Sequence, residues 1–141
     1  SRAPLHITDS FIIDEELVKK AAPNYLVEVG RFLGGQVQLK EEEKVRELGV
    51  YLDYAKTLKT IVNITIPEGY EVAGLDKLNV DVSNATGGFK STATVEGNQL
   101  TYRTEKTYAK KNYTAQEWQQ MIPWLEAAYD FSQRKVLFQK Q

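Results

Sequence analysis

The chain has 141 residues, 42% of them hydrophobic and 26% charged, and a formal net charge of −1. That is enough for one domain with a continuous core, it is too apolar for wholesale disorder, and it lacks the basic excess that marks nucleic-acid binding. Cysteine is absent, which removes disulfides, thiolate metal sites and cysteine nucleophiles together.

The first residue is Ser1, with neither a methionine nor an apolar leader before "RAPLHIT", and reads as the start of a cut piece. No run of about 18 apolar residues exists, so no membrane-spanning helix is expected. Pro4 to Thr8 read as a short extended segment. Asp14 to Ala22 look helical, because Glu15 and Lys19, and Glu16 and Lys20, are favourable i,i+4 pairs, and Pro23 ends the run. Tyr25, Val27 and Val29 alternate as in a strand, and Val37 and Leu39 repeat the pattern weakly. The run Glu41, Glu42, Glu43, Lys44 reads as a solvated loop or strand edge.

From Leu48 the alternation is clearer. Leu48, Val50, Leu52 and Tyr54 share one face of an expected strand. Leu58, Thr60, Val62, Ile64 and Ile66 share one face of a longer strand that stops at Pro67. Pro67 suits the second position of a type I turn and Gly69 its last. Leu78, Val80 and Val82 alternate next, "NATGG" supplies turn residues, and Phe89, Ser91, Ala93 and Val95 alternate again. Gly97-Asn98 reads as a tight hairpin turn, with Leu100, Tyr102 and Thr104 continuing toward Tyr108. The result is a three-stranded antiparallel meander.

Thr114 and Glu117 form a capping box that opens a long helix. Trp118, Met121, Ile122, Leu125 and Tyr129 make one apolar stripe, and Trp124, Ala127 and Phe131 a second on an adjacent flank. A helix lying on one sheet needs only the first stripe. Trp124 and Phe131 are therefore the candidate contact residues for a neighbouring protein domain, the alternative being that a second sheet of the same domain covers them. Pro123 falls inside the helix and removes one backbone hydrogen bond. "KVLFQKQ" ends the sequence as an expected edge strand.

The residues that could carry chemistry do not converge. His6, the single histidine, lies near Asp9 and Ser10, but triads are assembled in space from rigid supports and local clustering carries little weight. Asp53, Asp81 and Glu105 are carboxylates whose spacing pairs none of them. "GGFKST" lacks the Gly-Lys-Ser/Thr junction of a phosphate loop, and Gly30, Gly34 and Gly35 miss the dinucleotide fingerprint. Asn63, Asn84 and Asn112 each begin an Asn-X-Thr triplet accessible to glycosylation, a pattern that chance also produces in Asn- and Thr-rich β-proteins. No cofactor and no metal are expected.

"NITIPEGYEVAGLDKLNVDVSNATGGF", "TVEGNQLTYRTEKTY" and "EWQQMIPWLEAAYDFSQRKVLFQK" together resemble the C-terminal region of transglutaminase-like exported proteins of Bacteroides and relatives. The earlier "PNYLVEVGRFLGGQVQLKEEEKVRELGVYLDY" is similar to the segment that leads into it. In that family the region follows a papain-like core with a Cys-His-Asp triad, none of which can be carried over to a chain without cysteine. The resemblance implies an exported, periplasmic or cell-surface protein. It also implies a non-catalytic accessory domain whose partner is the transglutaminase-like core of the same parent chain. A carbohydrate- or peptide-binding β-module, using surface tyrosines or the edge near "KVLFQ", is the alternative. The expected fold is α+β and mainly β: a sandwich-like antiparallel domain with a long C-terminal helix packed on the sheet. One domain spans 1–141, with 1–22 a leader or linker carrying a short helix and 23–141 the β-rich core.

Overall fold

The computed structural model describes residues 5–11, 18–21, 24–33, 36, 38–52 and 55–141, with backbone alone for 5–11 and 18–21. Their strands are β1 (Leu5–Phe11), β2 (Val18–Ala21), β3 (Asn24–Val27), β4 (Val50–Tyr51), β5 (Lys56–Thr65), β6 (Tyr70–Ala73), β7 (Val80–Asn84), β8 (Gly87–Glu96), β9 (Gln99–Tyr108), β10 (Asn112–Tyr113) and β11 (Val136–Lys140). One α-helix, α1 (Ala115–Ser132), and three 3₁₀ turns, Val29–Leu33, Glu41–Lys44 and Leu75–Leu78, complete the regular structure of these residues. The larger sheet runs β1-β5-β9-β8-β7 and the smaller β2-β3-β11-β6, while β4 and β10 form a separate short pair. Only β1 with β5 is parallel; the other pairings are antiparallel. The fold is thus α+β and mainly β, with the helix on the larger sheet.

Alternation builds the larger sheet as the sequence indicates. Val62, Ile64, Leu100, Tyr102 and Phe89 are buried on its inner face, together with Thr60, Thr104 and Ser91. The β8–β9 hairpin closes on Gly97-Asn98, with Glu96 opposite Gln99 and Gly97 at φ +58°, a geometry that glycine adopts without a Cβ penalty. The turn after β5 sits one residue later than expected. Tyr70 N donates to the Pro67 carbonyl at 3.1 Å, and Gly69 takes φ +84° at the third position, where a positive φ calls for glycine.

Four local expectations are not met. Val18–Ala21 is a strand on β3 rather than the end of a helix; the rest of that proposed helix lies outside the described residues. Its charge pairs contribute only tenths of a kcal/mol each, less than a ladder partner supplies. Residues 38–40 belong to no strand. The expected strand from Leu48 to Tyr54 shrinks to β4, with Leu48 projecting into solvent, and Asp53 and Tyr54 lie outside the described residues. "KVLFQ" is not an edge either: β11 pairs with β3 on one side and β6 on the other.

Thr114 caps α1 as expected, its Oγ1 accepting from Glu117 N at 3.1 Å while Thr114 N donates to Glu117 Oε1 at 3.0 Å. Both apolar flanks of α1 are covered. The helix packs on β7 and β8 and also against the 3₁₀ turns at 29–33 and 41–44. Buried Tyr102 ties the larger sheet to the 29–33 turn by donating to the Val29 carbonyl at 2.7 Å. The approach of that turn to the end of α1 is close enough that a Cβ on Gly30 would stand 1.9 Å from the Phe131 carbonyl oxygen.

Candidate functional site

Trp124 and Phe131, singled out from the sequence as partner-facing rings, are both 0% exposed. The stripe they form is the one that lies on the larger sheet. Phe131 packs against Phe89 and Tyr102, ring centroids 5.5 and 5.3 Å apart, and Trp124 meets Tyr108 edge-on at 5.1 Å. Trp124 Nε1 donates to Thr86 Oγ1 at 2.9 Å, and the Thr86 hydroxyl in turn donates to Asn84 Oδ1 at 2.5 Å. The expected contact surface is therefore internal core. The cause is that the other stripe, Trp118 foremost, is covered by irregular chain, leaving this one to meet the strands.

The same network accounts for one glycosylation triplet. Asn84 Nδ2 donates to the Gln120 carbonyl at 2.6 Å while Oδ1 accepts from Thr86, so its amide is committed to holding α1 against the β7–β8 turn. Asn63 Oδ1 accepts from Thr101 Oγ1 at 2.7 Å, and Asn112 is exposed in β10. Of the three accessible triplets expected, the Asn84 one is exposed but has its amide nitrogen engaged in the fold.

The candidate acids do not form a cleft. Lys59, Glu105, Lys90 and Asp81 take consecutive partner positions across β5, β9, β8 and β7, so a lysine position separates the two carboxylates. Both acids are exposed, whereas an acid–base pair needs unequal environments to split its proton affinities. His6, Asp9 and Ser10 lie in β1, but their side chains are outside the described residues. Among the described residues no group of three potential metal ligands clusters.

A different feature stands out on the surface. Val45, Leu48 and Tyr51 are 75%, 77% and 77% exposed, on a segment that is firmly held. Trp118 Nε1 donates to the carbonyls of Glu43 and Lys44, each at 3.1 Å, and Gln119 Nε2 donates to Lys44 O at 2.5 Å. The Arg46 guanidinium lies over the Trp118 ring, 5.2 Å from its centroid, and bonds the Leu48 and Gly49 carbonyls at 3.3 Å. β4 then pairs with β10, and Gly49 passes so close to it that a Cβ would stand 2.3 Å from the Tyr113 carbonyl oxygen. Large apolar side chains on a fixed backbone lose little entropy on contact, which favours their use in association. The spacing of three from Val45 to Leu48 to Tyr51 was the available signal; period-two alternation from Leu48 onward masked it.

Residues 26–138 match a family described as a domain of unknown function with a solved structure (DUF3858). No curated protein matches the chain. Among solved structures the fold is similar to a crystal structure of a "putative protease" from Parabacteroides distasonis ATCC 8503, with a TM-score of 0.68 and 15% sequence identity. The match covers 96% of this chain and 27% of that one, so the chain spans about a quarter of that protein's length.

Proposed function

We propose that this chain, which belongs to the DUF3858 family, is a non-catalytic accessory domain of a larger transglutaminase- or protease-like protein, placed after the catalytic core and packed on it. The observation that carries this reading is that the whole fold recurs as 27% of a longer chain. A unit that repeats as a part is built to sit beside something. The absence of cysteine in all 141 residues puts any thiol nucleophile of such a parent elsewhere, and the resemblance to exported proteins favours the bacterial envelope as its location. Among the described residues no helix is long and apolar enough to cross a membrane.

The contact moves from Trp124 and Phe131 to the exposed Val45, Leu48 and Tyr51. A Leu48→Asp/Tyr51→Ser pair tests it in the longer parent chain. The pair is expected to separate the unfolding of this domain from that of the core and to leave the isolated domain's own melting within about 3 °C, since two exposed substitutions together cost under about 1 kcal/mol. Coupled unfolding that survives the pair defeats this choice of surface. Hydrolysis of ester, peptide or glycoside substrates by the 141 residues alone defeats the non-catalytic reading, and saturable capture on a glycan array favours the binding-module alternative.

A further inference from the structure

Two lysines stand on the face of the larger sheet that builds the core. Lys56 is the cross-strand partner of Tyr108, and Leu58 that of Lys106, so all four side chains leave the same face, which continues into buried Thr60, Val62, Tyr102 and Thr104. The Lys56 ammonium lies 5.3 Å and the Lys106 ammonium 5.5 Å from the centroid of the Tyr108 ring. Lys106 Nζ donates to Gln36 Oε1 at 2.8 Å. None of the ion pairs among the described residues involves either lysine. A carboxamide oxygen and an aromatic face offer partial charges only, whereas an ammonium withdrawn from water is stabilised by a full counter-charge. Burial, and then the neighbouring Lys56 charge, push Lys106 down to about 8. An arrangement that holds two like charges together on a core-forming face is costly as it stands.

We propose that Lys56, Lys106 and Tyr108 form a binding site for a small oxyanion of two negative charges, phosphate-like in its chemistry. Diagonal positions on neighbouring antiparallel strands are about 7–8 Å apart, so two long side chains can converge on one tetrahedral group lying between them. Lysine acts as a point charge with three rotatable donors and suits a tetrahedral anion, while planar carboxylates are better matched by the arginine fork. Burial, and then Tyr113, raise Tyr108, so its ring stays neutral at pH 7 and adds no negative charge beside the two ammonium groups. This site is independent of the accessory-domain reading, because it lies on β5 and β9 and uses none of the residues at 45–51.

The test is a titration of the 141-residue chain with inorganic phosphate at pH 7 and constant ionic strength, in a buffer free of other oxyanions. Lysine methylene signals are followed by carbon-13 NMR, with acetate and chloride as comparators. Saturable shifts confined to Lys56 and Lys106, with the Lys106 titration midpoint moving upward when phosphate is present, support the site. Lys56→Met and Lys106→Met are each expected to weaken phosphate about tenfold or more, the loss of one charged hydrogen bond, whereas Lys59→Met and Lys90→Met, on the opposite face, leave it unchanged. Shifts that rise linearly and equally for all three anions overturn the proposal, as does acetate binding as tightly as phosphate. Retention of phosphate binding by both variants overturns it too, and the wild-type titration decides the matter even where a variant fails to fold.

Discussion

Replacing Trp124 by alanine tests how α1 is held on the larger sheet. The side chain is fully buried, its ring packs edge-on against Tyr108, and its Nε1 bonds Thr86 Oγ1 at 2.9 Å. Truncating a buried tryptophan costs about 3–5 kcal/mol through lost transfer energy and the cavity left behind. Against a domain stability of about 5–15 kcal/mol, that is a large fraction, and at about 3 °C per kcal/mol it lowers the melting temperature by about 10–15 °C. Thermal and urea unfolding followed by circular dichroism measure it directly. Trp124→Phe separates the two contributions: most of the apolar area stays, while removing the indole donor costs about 1–3 kcal/mol. A Trp124→Ala protein melting within about 3 °C of the parent would mean that the ring is not core, and would restore it as a contact surface.

Four further outcomes follow from local geometry. Gly30→Ala is expected to destabilise by more than about 3 kcal/mol, because its Cβ would meet the Phe131 carbonyl oxygen at 1.9 Å and backbone must move to relieve the overlap; Gly69→Ala, with open space around it but φ +84°, should cost only about 1 kcal/mol, and chemical denaturation ranks the two. Thr114→Ala removes the helix cap at a cost of about 1 kcal/mol. The Lys110 ammonium, and then the capping backbone, hold Glu117 below its usual value, so its stabilisation is present above pH 4.5 and fades as pH falls through the lowered value; Glu117→Gln should accordingly differ least from wild type in acid. Lys106 titrates near 8 instead of 10.5, so its charge opposes folding in full below pH 8 and the penalty disappears as pH rises from about 8 to 10.5. Lys106→Met should therefore be stabilising at pH 7 in phosphate-free buffer, by up to about 3 kcal/mol at 1.36 kcal/mol per pH unit, and the advantage should vanish by pH 10.5; urea midpoints at the two pH values check it.

What the sequence made legible was whatever rests on neighbours along the chain. The Gly97-Asn98 turn, the alternation from Thr60 to Ile66 and the Thr114–Glu117 box each fix their element locally, and each appears where expected. What escaped depends on pairing. Val18–Ala21 is a strand because the next segment, β3, folds back beside it, and β11 is internal because β6, far back in the chain, lies at its other side; side-chain periodicity within a segment records neither pairing. The two stripes of α1 were visible, but which one meets the sheet is decided by where the 29–33 and 41–44 turns fall. The site followed the same rule. Trp124 and Phe131 were chosen as surplus apolar residues, when the surplus was the cover of a second flank, and Lys106 drew no notice because its neighbours in space, Lys56 and Gln36, are far away in sequence.

The central position of β11 has a consequence for synthesis on the ribosome. β3 and β6 do not touch each other in the ladder; residues 136–140 bridge them. The larger sheet, made from residues up to Tyr108, can assemble while translation is still under way, whereas the smaller one stays open until Lys140 has left the exit tunnel. A nascent chain stalled before that point would display unzipped edges from both earlier strands, the kind of surface that chaperones and proteases recognise. Closure of the smaller sheet, and with it the loss of those edges, in this way waits for its last strand.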